Sequence, residues 1–327
     1  AQVGDLEFHY KKTEYLRSYV DKPIVQLNKI DEAATIINTA KKPYVIIGQG
    51  ITLGNAQTEF KTFIEKTGIP FAWTLLGADV LPIDHPLNMG MLGMHGSYGP
   101  NIKTNECDVL IAIGMRFDDR VTGTLATYAK QAKIIHLEID PAEIDKNVKT
   151  TVAVLGNVKE TLPLLTAKVK PQSLDTWINE FKTCDQIEHE KVIKHIEHPN
   201  KPGLNMGEVL FRINEQTKGD CIIVTDVGQH QMFAARYAKH TFERSFVTSG
   251  GLGTMGFGLP AAMGAKLGRP DKQVILVVGD GGLQMTIQEM GTIFQTQIPV
   301  KIVLLNNEFL GMVRQWQQLF WDKRYSS

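Results

Sequence analysis

The chain has 327 residues, 43% hydrophobic and 21% charged, an ordinary globular composition with length for about two domains. Its 35 basic and 35 acidic residues leave no basic excess of the kind nucleic-acid binding uses, and no apolar run is long enough for a transmembrane helix. Cys107, Cys184 and Cys221 are too few and too widely spaced for a disulfide framework or zinc ribbon, and no leader pattern opens the sequence, so a reducing cytoplasm is expected.

Residues 1–24 are polar, lack a sustained period and read as a lead-in. From 25 to 165 helices and strands alternate: a helix over 31–40, a strand over 44–47, a helix near 55–67, then strands over 69–74, 108–113 and 133–139. That alternation predicts an α/β domain with a parallel sheet covered on both faces. Residues 166–205 break the rhythm and read as a linker with one helix, capped by Ser173, whose Leu174, Trp177, Ile178 and Phe181 share a face. Pro199 and Pro202 mark a boundary. From 206 to 327 a second α/β domain is expected: a helix, a strand over 221–225, a Gly-rich loop, a helix over 258–267, a strand over 274–278, a helix over 283–296, a strand over 300–305 and a helix from Gly311. His189, His195 and His198 lie among Glu188, Glu190 and Glu197 and read as a solvated polar face rather than a metal cluster.

The chemistry concentrates where two of these strands end. Gly279-Asp280-Gly281 follows the strand at 274–278, and Asn306-Asn307 follows the strand at 300–305. Strand ends in a parallel sheet point to one edge, where ligands bind. Asp280 is a hard ligand suited to Mg²⁺, and Asn307 adds a neutral amide oxygen. Gly281 and Gly282 allow close approach of a phosphorylated ligand at the following helix start. The bland alternative is a tight turn between buried strands.

The Gly-Asp-Gly and Asn-Asn pair at this spacing resembles the motif of thiamine-diphosphate enzymes. Within them, Gly228-Gln229-His230-Gln231-Met232, the run Ser249 to Gly256, and Gly311-Met312-Val313-Arg314-Gln315-Trp316-Gln317 resemble the catalytic subunit of acetolactate synthases (acetohydroxyacid synthases). The resemblance implies that Asp280, Asn307 and the carbonyl of Phe309 hold Mg²⁺, and that Gly228, Gln229, His230, Gly281, Gly282, Gly311 and Met312 line thiamine diphosphate. It further implies that the Gly253 carbonyl accepts from the aminopyrimidine and that Met255 wedges between the cofactor rings, where ordinary core packing is the alternative. Trp316 would shape the pocket for a second 2-keto acid, a flat wall able to reward one methylene by about 1–3 kcal/mol.

In the first domain, Gly48-Gln49-Gly50 alone is a weak dinucleotide signal, since position 53 is Leu53. Glu138 ends a strand where it could take a ribose hydroxyl. Runs at 91–96, 114–121 and 136–139 resemble the middle, FAD-binding domain of the same family. By that resemblance FAD lies against Gly48, Gly50, Thr74, Leu75, Gly93, Met94, His95, Gly114, Arg116, Asp118, Val121, Glu138, Ile139 and Asn157, takes no net part in redox chemistry, and leaves Arg120 at the substrate entrance. Asn157 stands where the family often has Asp.

The resemblance implies condensation of decarboxylated pyruvate with pyruvate or 2-ketobutyrate, in branched-chain amino-acid biosynthesis. It implies a homodimer or homotetramer and a possible small regulatory subunit. It also implies a further N-terminal domain carrying a catalytic Glu, and a C-terminal segment that closes over the site. Neither is found here, so the chain is expected to be a piece of the catalytic subunit, inactive alone. A pyruvate oxidase, a glyoxylate carboligase or a non-catalytic flavin-binding module are the competing readings.

Overall fold

The computed structural model describes residues 9–12, 23–199 and 203–326. Most of the expected lead-in, together with Pro202, lies outside the described residues. Two parallel α/β layers follow, as the alternation predicted.

The first layer runs α1 (Leu27–Thr39), β1 (Pro43–Ile47), α2 (Gly50–Leu53), α3 (Gln57–Thr67), β2 (Phe71–Trp73), β3 (Asn88–Met91), α4 (Tyr98–Thr104), β4 (Val109–Ile113), α5 (Asp119–Thr122), β5 (Lys133–Glu138), β6 (Val152–Leu155) and α6 (Val158–Lys168). Its six strands are ordered β3-β2-β1-β4-β5-β6 and all pair in parallel. β1 and β4 are buried at every position, so they read as unbroken apolar runs rather than alternating ones. β1 leads to β2 on one side while β4 lies on the other, so the strand order reverses between them, the place where ligands enter such sheets.

The stretch expected as a linker holds α7 (Asp175–Glu188), a π-helical turn (His189–Ile193) and α8 (Lys194–Glu197). α7 packs on α4, with Trp177 and Phe181 inside the first core. The Trp177 indole donates to Pro43 O at 2.9 Å, and the Phe181 ring lies 5.1 Å from that of Tyr44. Ser173 does not cap this helix: the cap position is Leu174, and no side chain bonds to the first turn.

The second layer runs α9 (Met206–Thr217), β7 (Cys221–Thr225), α10 (Gln229–Tyr237), β8 (Phe246–Thr248), α11 (Gly258–Gly268), β9 (Gln273–Gly279), α12 (Asp280–Met285), α13 (Glu289–Thr296), β10 (Lys301–Leu305) and α14 (Gly311–Phe320). The sheet order is β10-β9-β7-β8, again parallel. One apolar cluster joins α9 and α10 to one face, and another joins α11 to the other. The single helix expected over 283–296 is two, starting at Asp280 and broken at 286–288. The Thr286 hydroxyl donates to Gly256 O at 3.1 Å, which draws the chain out of helical register.

The layers touch directly. Asp79 Oδ2 accepts from Phe246 N at 3.0 Å, and Ile83 N donates to His240 O at 3.0 Å. Among the described residues no helix is long and apolar enough to cross a membrane.

Candidate functional site: a cradle at the second sheet edge

In the second sheet the order reverses between β7 and β9. Thr225 pairs with Val277 and Gly279 with Leu305, so the residues after all three strands emerge at one edge. These are Asp226, Asp280 and Asn306-Asn307. The loop at 226–228 delivers Gly228, Gln229 and His230 to the same edge, as α10 begins.

His230 is buried, and its ring sits in a slot between two glycines. A Cβ at Gly228 would fall 2.8 Å from His230 Cε1, and one at Gly279 2.9 Å from Nδ1. Burial lowers the His230 pKa, against the opposing pull of Asp226 and Asp280. Its Nε2 is buried without a hydrogen-bond partner among the described residues. Such an atom calls for a ligand or water.

Gln229 bridges the strand ends. Its Oε1 accepts from Asn307 Nδ2 at 3.2 Å, and its Nε2 donates to Gln315 Oε1 at 3.2 Å on α14. Gly311 is pinned beneath this bridge, since a Cβ there would lie 2.3 Å from Gln229 Oε1. The three residues border a cavity of about 250 Å³ that Phe309 and Arg314 also line, the Arg314 guanidinium lying 3.9 Å from the Phe309 ring centre.

The donors expected to hold Mg²⁺ suit it. Asp280 is half-buried and its carboxylate forms no hydrogen bond or ion pair among the described residues. Asn307 Oδ1 accepts only a long 3.3 Å bond from Phe309 N. One carboxylate, one amide and one main-chain oxygen leave places for water and phosphate oxygens, as Mg²⁺ prefers. Among the described residues no three His, Cys, Asp or Glu side chains gather as a metal group. His189 instead faces Glu190 and Glu197, each at 3.8 Å.

Met255 reaches the same edge, its methyl 3.6 Å from where a Cβ on Gly281 would stand. Gly253 is in the left-handed region at φ 64°, and the N–H of the peptide that follows it, Thr254 N, donates to Ser249 Oγ at 3.0 Å. Met312 is half-buried in the first turn of α14.

The first sheet gathers its candidates at its own edge, with mixed roles. Gly48, Gly50 and Gly114 stand at the β1/β4 reversal but pack on one another: a Cβ on Gly50 would lie 2.6 Å from Gly114 Cα. Backbone packing alone therefore demands these glycines. Gly93 passes Arg120 O, where a Cβ would approach to 2.7 Å. The Thr74 hydroxyl donates to Ile47 O, with half-buried Leu75 beside it. Asn157 caps α6 by accepting from Lys159 N, and Asp118 caps α5 by accepting from Arg120 N and Val121 N. Glu138 Oε1 accepts from the N–H groups of Ile139 and Asp140, yet burial still raises its pKa. Arg116 pairs with Asp118 at 3.3 Å and remains open to solvent. Met94 and Ile139 are 46% and 47% exposed, apolar surface at the edge expected to meet a ligand.

The two edges meet at Arg120. Its guanidinium lies 5.3 Å from the Trp316 ring centre, uniting the two residues expected to meet substrate. His95 is close by: its pKa is lowered by burial and then by the charges of Arg120 and Arg236.

Sequence reasoning missed Asp226, and it quoted Gln315 within a motif without giving it a role. Asp226 carried a readable signal, an acid directly after an apolar strand, as in Asp280. The bridging role of Gln315 carried none, since it depends on where α14 places it against Gln229.

Comparison with known proteins agrees with this geometry. Residues 30–165 match the central domain of thiamine pyrophosphate enzymes, and residues 226–327 match their C-terminal TPP binding domain, together well over half of the chain. The chain is 43% identical over 298 residues to the acetolactate synthase isozyme 2 large subunit of Escherichia coli, covering 91% of this chain and 53% of that protein. Against the acetolactate synthase large subunit of Lactococcus lactis it is 45% identical over 299 residues, covering 91% and 51%. Against a probable acetolactate synthase large subunit of Methanocaldococcus jannaschii it is 42% identical over 320 residues, covering 95% and 53%. The chain thus spans about half the length of these curated relatives. Two matched domains and this level of identity over nearly the whole chain show that it belongs to the thiamine pyrophosphate enzyme family, with acetolactate synthase large subunits as its homologues.

Proposed function

We propose that the protein containing this chain joins decarboxylated pyruvate to pyruvate or 2-ketobutyrate, giving 2-acetolactate or 2-aceto-2-hydroxybutyrate for branched-chain amino-acid biosynthesis. The observation that carries this is the placement of Arg120 over Trp316 beside the cradle at the second sheet edge. Thiamine diphosphate, when bound, supplies an electron sink for decarboxylation of a 2-keto acid. Asp280, Asn307 and the Phe309 carbonyl would hold Mg²⁺. Gly228, Gln229 and the unpartnered Nε2 of His230 would bind the diphosphate, with Gly281, Gly282, Gly311 and Met312 lining it. The Gly253 carbonyl and Met255 would set the tilt of the rings. Arg120 presents a planar fork that suits the carboxylate of the second keto acid, while Trp316 bounds its alkyl group.

FAD fits the first edge through Arg116, Met94, His95 and Ile139, which remain available there, with Gly93 and Val121 beneath. Its role is structural in this reading. The named large subunits also support a small regulatory partner, and a homodimer or homotetramer would cover apolar residues such as Phe294, Leu319 and Phe320. A cytoplasmic location fits a biosynthetic role. The test is the full-length protein supplied with thiamine diphosphate, Mg²⁺ and FAD. Acetolactate and carbon dioxide should appear from pyruvate, and failure to form acetolactate while pyruvate is consumed by oxidation would refute the assignment.

A further inference from the structure

We propose that Asp226 is a positioning residue that shapes the aminopyrimidine half of the thiamine diphosphate site, an inference that rests on the reading above. Asp226 stands one residue past β7 and is fully buried. Its Oδ1 accepts from Val227 N at 2.8 Å and Gly256 N at 3.1 Å, and its Oδ2 accepts from Gly258 N at 2.7 Å. A carboxylate is costly to bury, so a neutral tether would serve better if only a loop had to be held. The need is geometric. Two acceptor oxygens meet three N–H groups at once, whereas an amide would turn its own N–H₂ toward one of them.

The segment so held is 253–258, which carries Gly253 and Met255. Gly256 sits in it at φ 83°, a conformation few other residues tolerate. Across the site, Gly282 makes room for the same carboxylate, since a Cβ there would stand 2.4 Å from Asp226 Oδ1. The diphosphate half has further ties of its own, through the Gln229 bridge to Asn307 and Gln315. Two of the three Asp226 bonds therefore hold the ring-contacting loop, while the Gln229 bridge braces the phosphate-contacting edge as well.

The experiment uses Asp226→Asn in the full-length protein, with two probes measured by calorimetry. These are thiamine diphosphate with Mg²⁺ and inorganic pyrophosphate with Mg²⁺. Loss of a charged hydrogen bond in the loop should weaken thiamine diphosphate by about tenfold or more and pyrophosphate by less than about threefold. An unchanged affinity for thiamine diphosphate, or an equal loss for both probes, overturns the proposal. If the unaltered protein binds neither probe, the thiamine reading itself fails and takes this inference with it. Should the variant not fold, hydrogen exchange of the unaltered protein without cofactor decides. The Gly256 and Gly258 amides should exchange at least about tenfold more slowly than those of exposed Gly251 and Leu252, and equal rates refute the tie.

Discussion

Gly281 and Gly282 are neighbours in α12, yet alanine should act strongly on one and barely on the other. At Gly282 the new Cβ would meet Asp226 Oδ1 at 2.4 Å, about 1 Å inside ordinary contact. The carboxylate must retreat, and its bonds at 2.8, 3.1 and 2.7 Å cannot all survive. Hydrogen bonds to a charged group contribute about 1.5–3 kcal/mol each, so losing two costs roughly 3–6 kcal/mol. Replacing Gly within a helix returns about 0.5–1 kcal/mol. The net loss, roughly 2–5 kcal/mol, should lower the second domain's melting midpoint by about 10 °C or more. At Gly281 the Cβ meets only Leu310 Cδ2 at 3.0 Å and Met255 Cε at 3.6 Å, the ends of flexible side chains. Gly281→Ala should therefore melt within about 2 °C of the unaltered protein. Differential scanning calorimetry of both variants gives the comparison. A Gly282→Ala protein as stable as its parent, or an equal loss at Gly281→Ala, would refute the buried-carboxylate geometry.

Asp280→Ala should abolish calorimetric binding of thiamine diphosphate with Mg²⁺ in the full-length protein; equal binding would remove Asp280 from the metal site. Trp177→Ala should destabilise the first domain by about 3–5 kcal/mol in urea unfolding, because the indole is buried in that core. A loss under about 1 kcal/mol would mean that α7 is only a connector. Arg120→Ala and Trp316→Ala should couple by about 0.5–1 kcal/mol in a double-mutant cycle on stability, and strict additivity would deny the stacking. His240 is fully buried, and burial lowers its pKa to about 4. The unfolded chain then binds the extra proton first as pH falls, so stability is full above about pH 6.5 and declines toward pH 4, by roughly 3 kcal/mol from this residue. His240→Leu should flatten that slope between pH 4.5 and 6.5 in urea unfolding; an unchanged slope would assign it to other groups.

The long apolar strands were legible because full burial leaves an unbroken run of β-formers, as at 274–278 and 109–113. The short ones were not. β8 is three half-buried residues and β6 four residues of alternating burial, each too brief for a period to be read from sequence. The break in the helix after Met285 depends on a hydroxyl reaching Gly256 from another loop, which local pattern cannot express. At the site, acids and amides at strand ends pointed to their edge. Glycines were ambiguous, because Gly50 and Gly114 are needed by each other while Gly228 and Gly279 are needed by an imidazole. Trp177 and Phe181 showed their shared face but not what it faces, since the partner strand lies far back in the chain.

The loop preceding Gly253 rests on the other domain. A Cβ on Gly250 would stand 2.6 Å from Leu76 Cδ2 in the segment after β2. Position 250 and position 76 thus form a matched pair of small and large. A hybrid enzyme that joins the first domain of one relative to the second of another would have to carry that pair across together. If it did not, an unmatched side chain would push on the loop that leads to Met255, and the mismatch would be felt as poor cofactor fit rather than as misfolding.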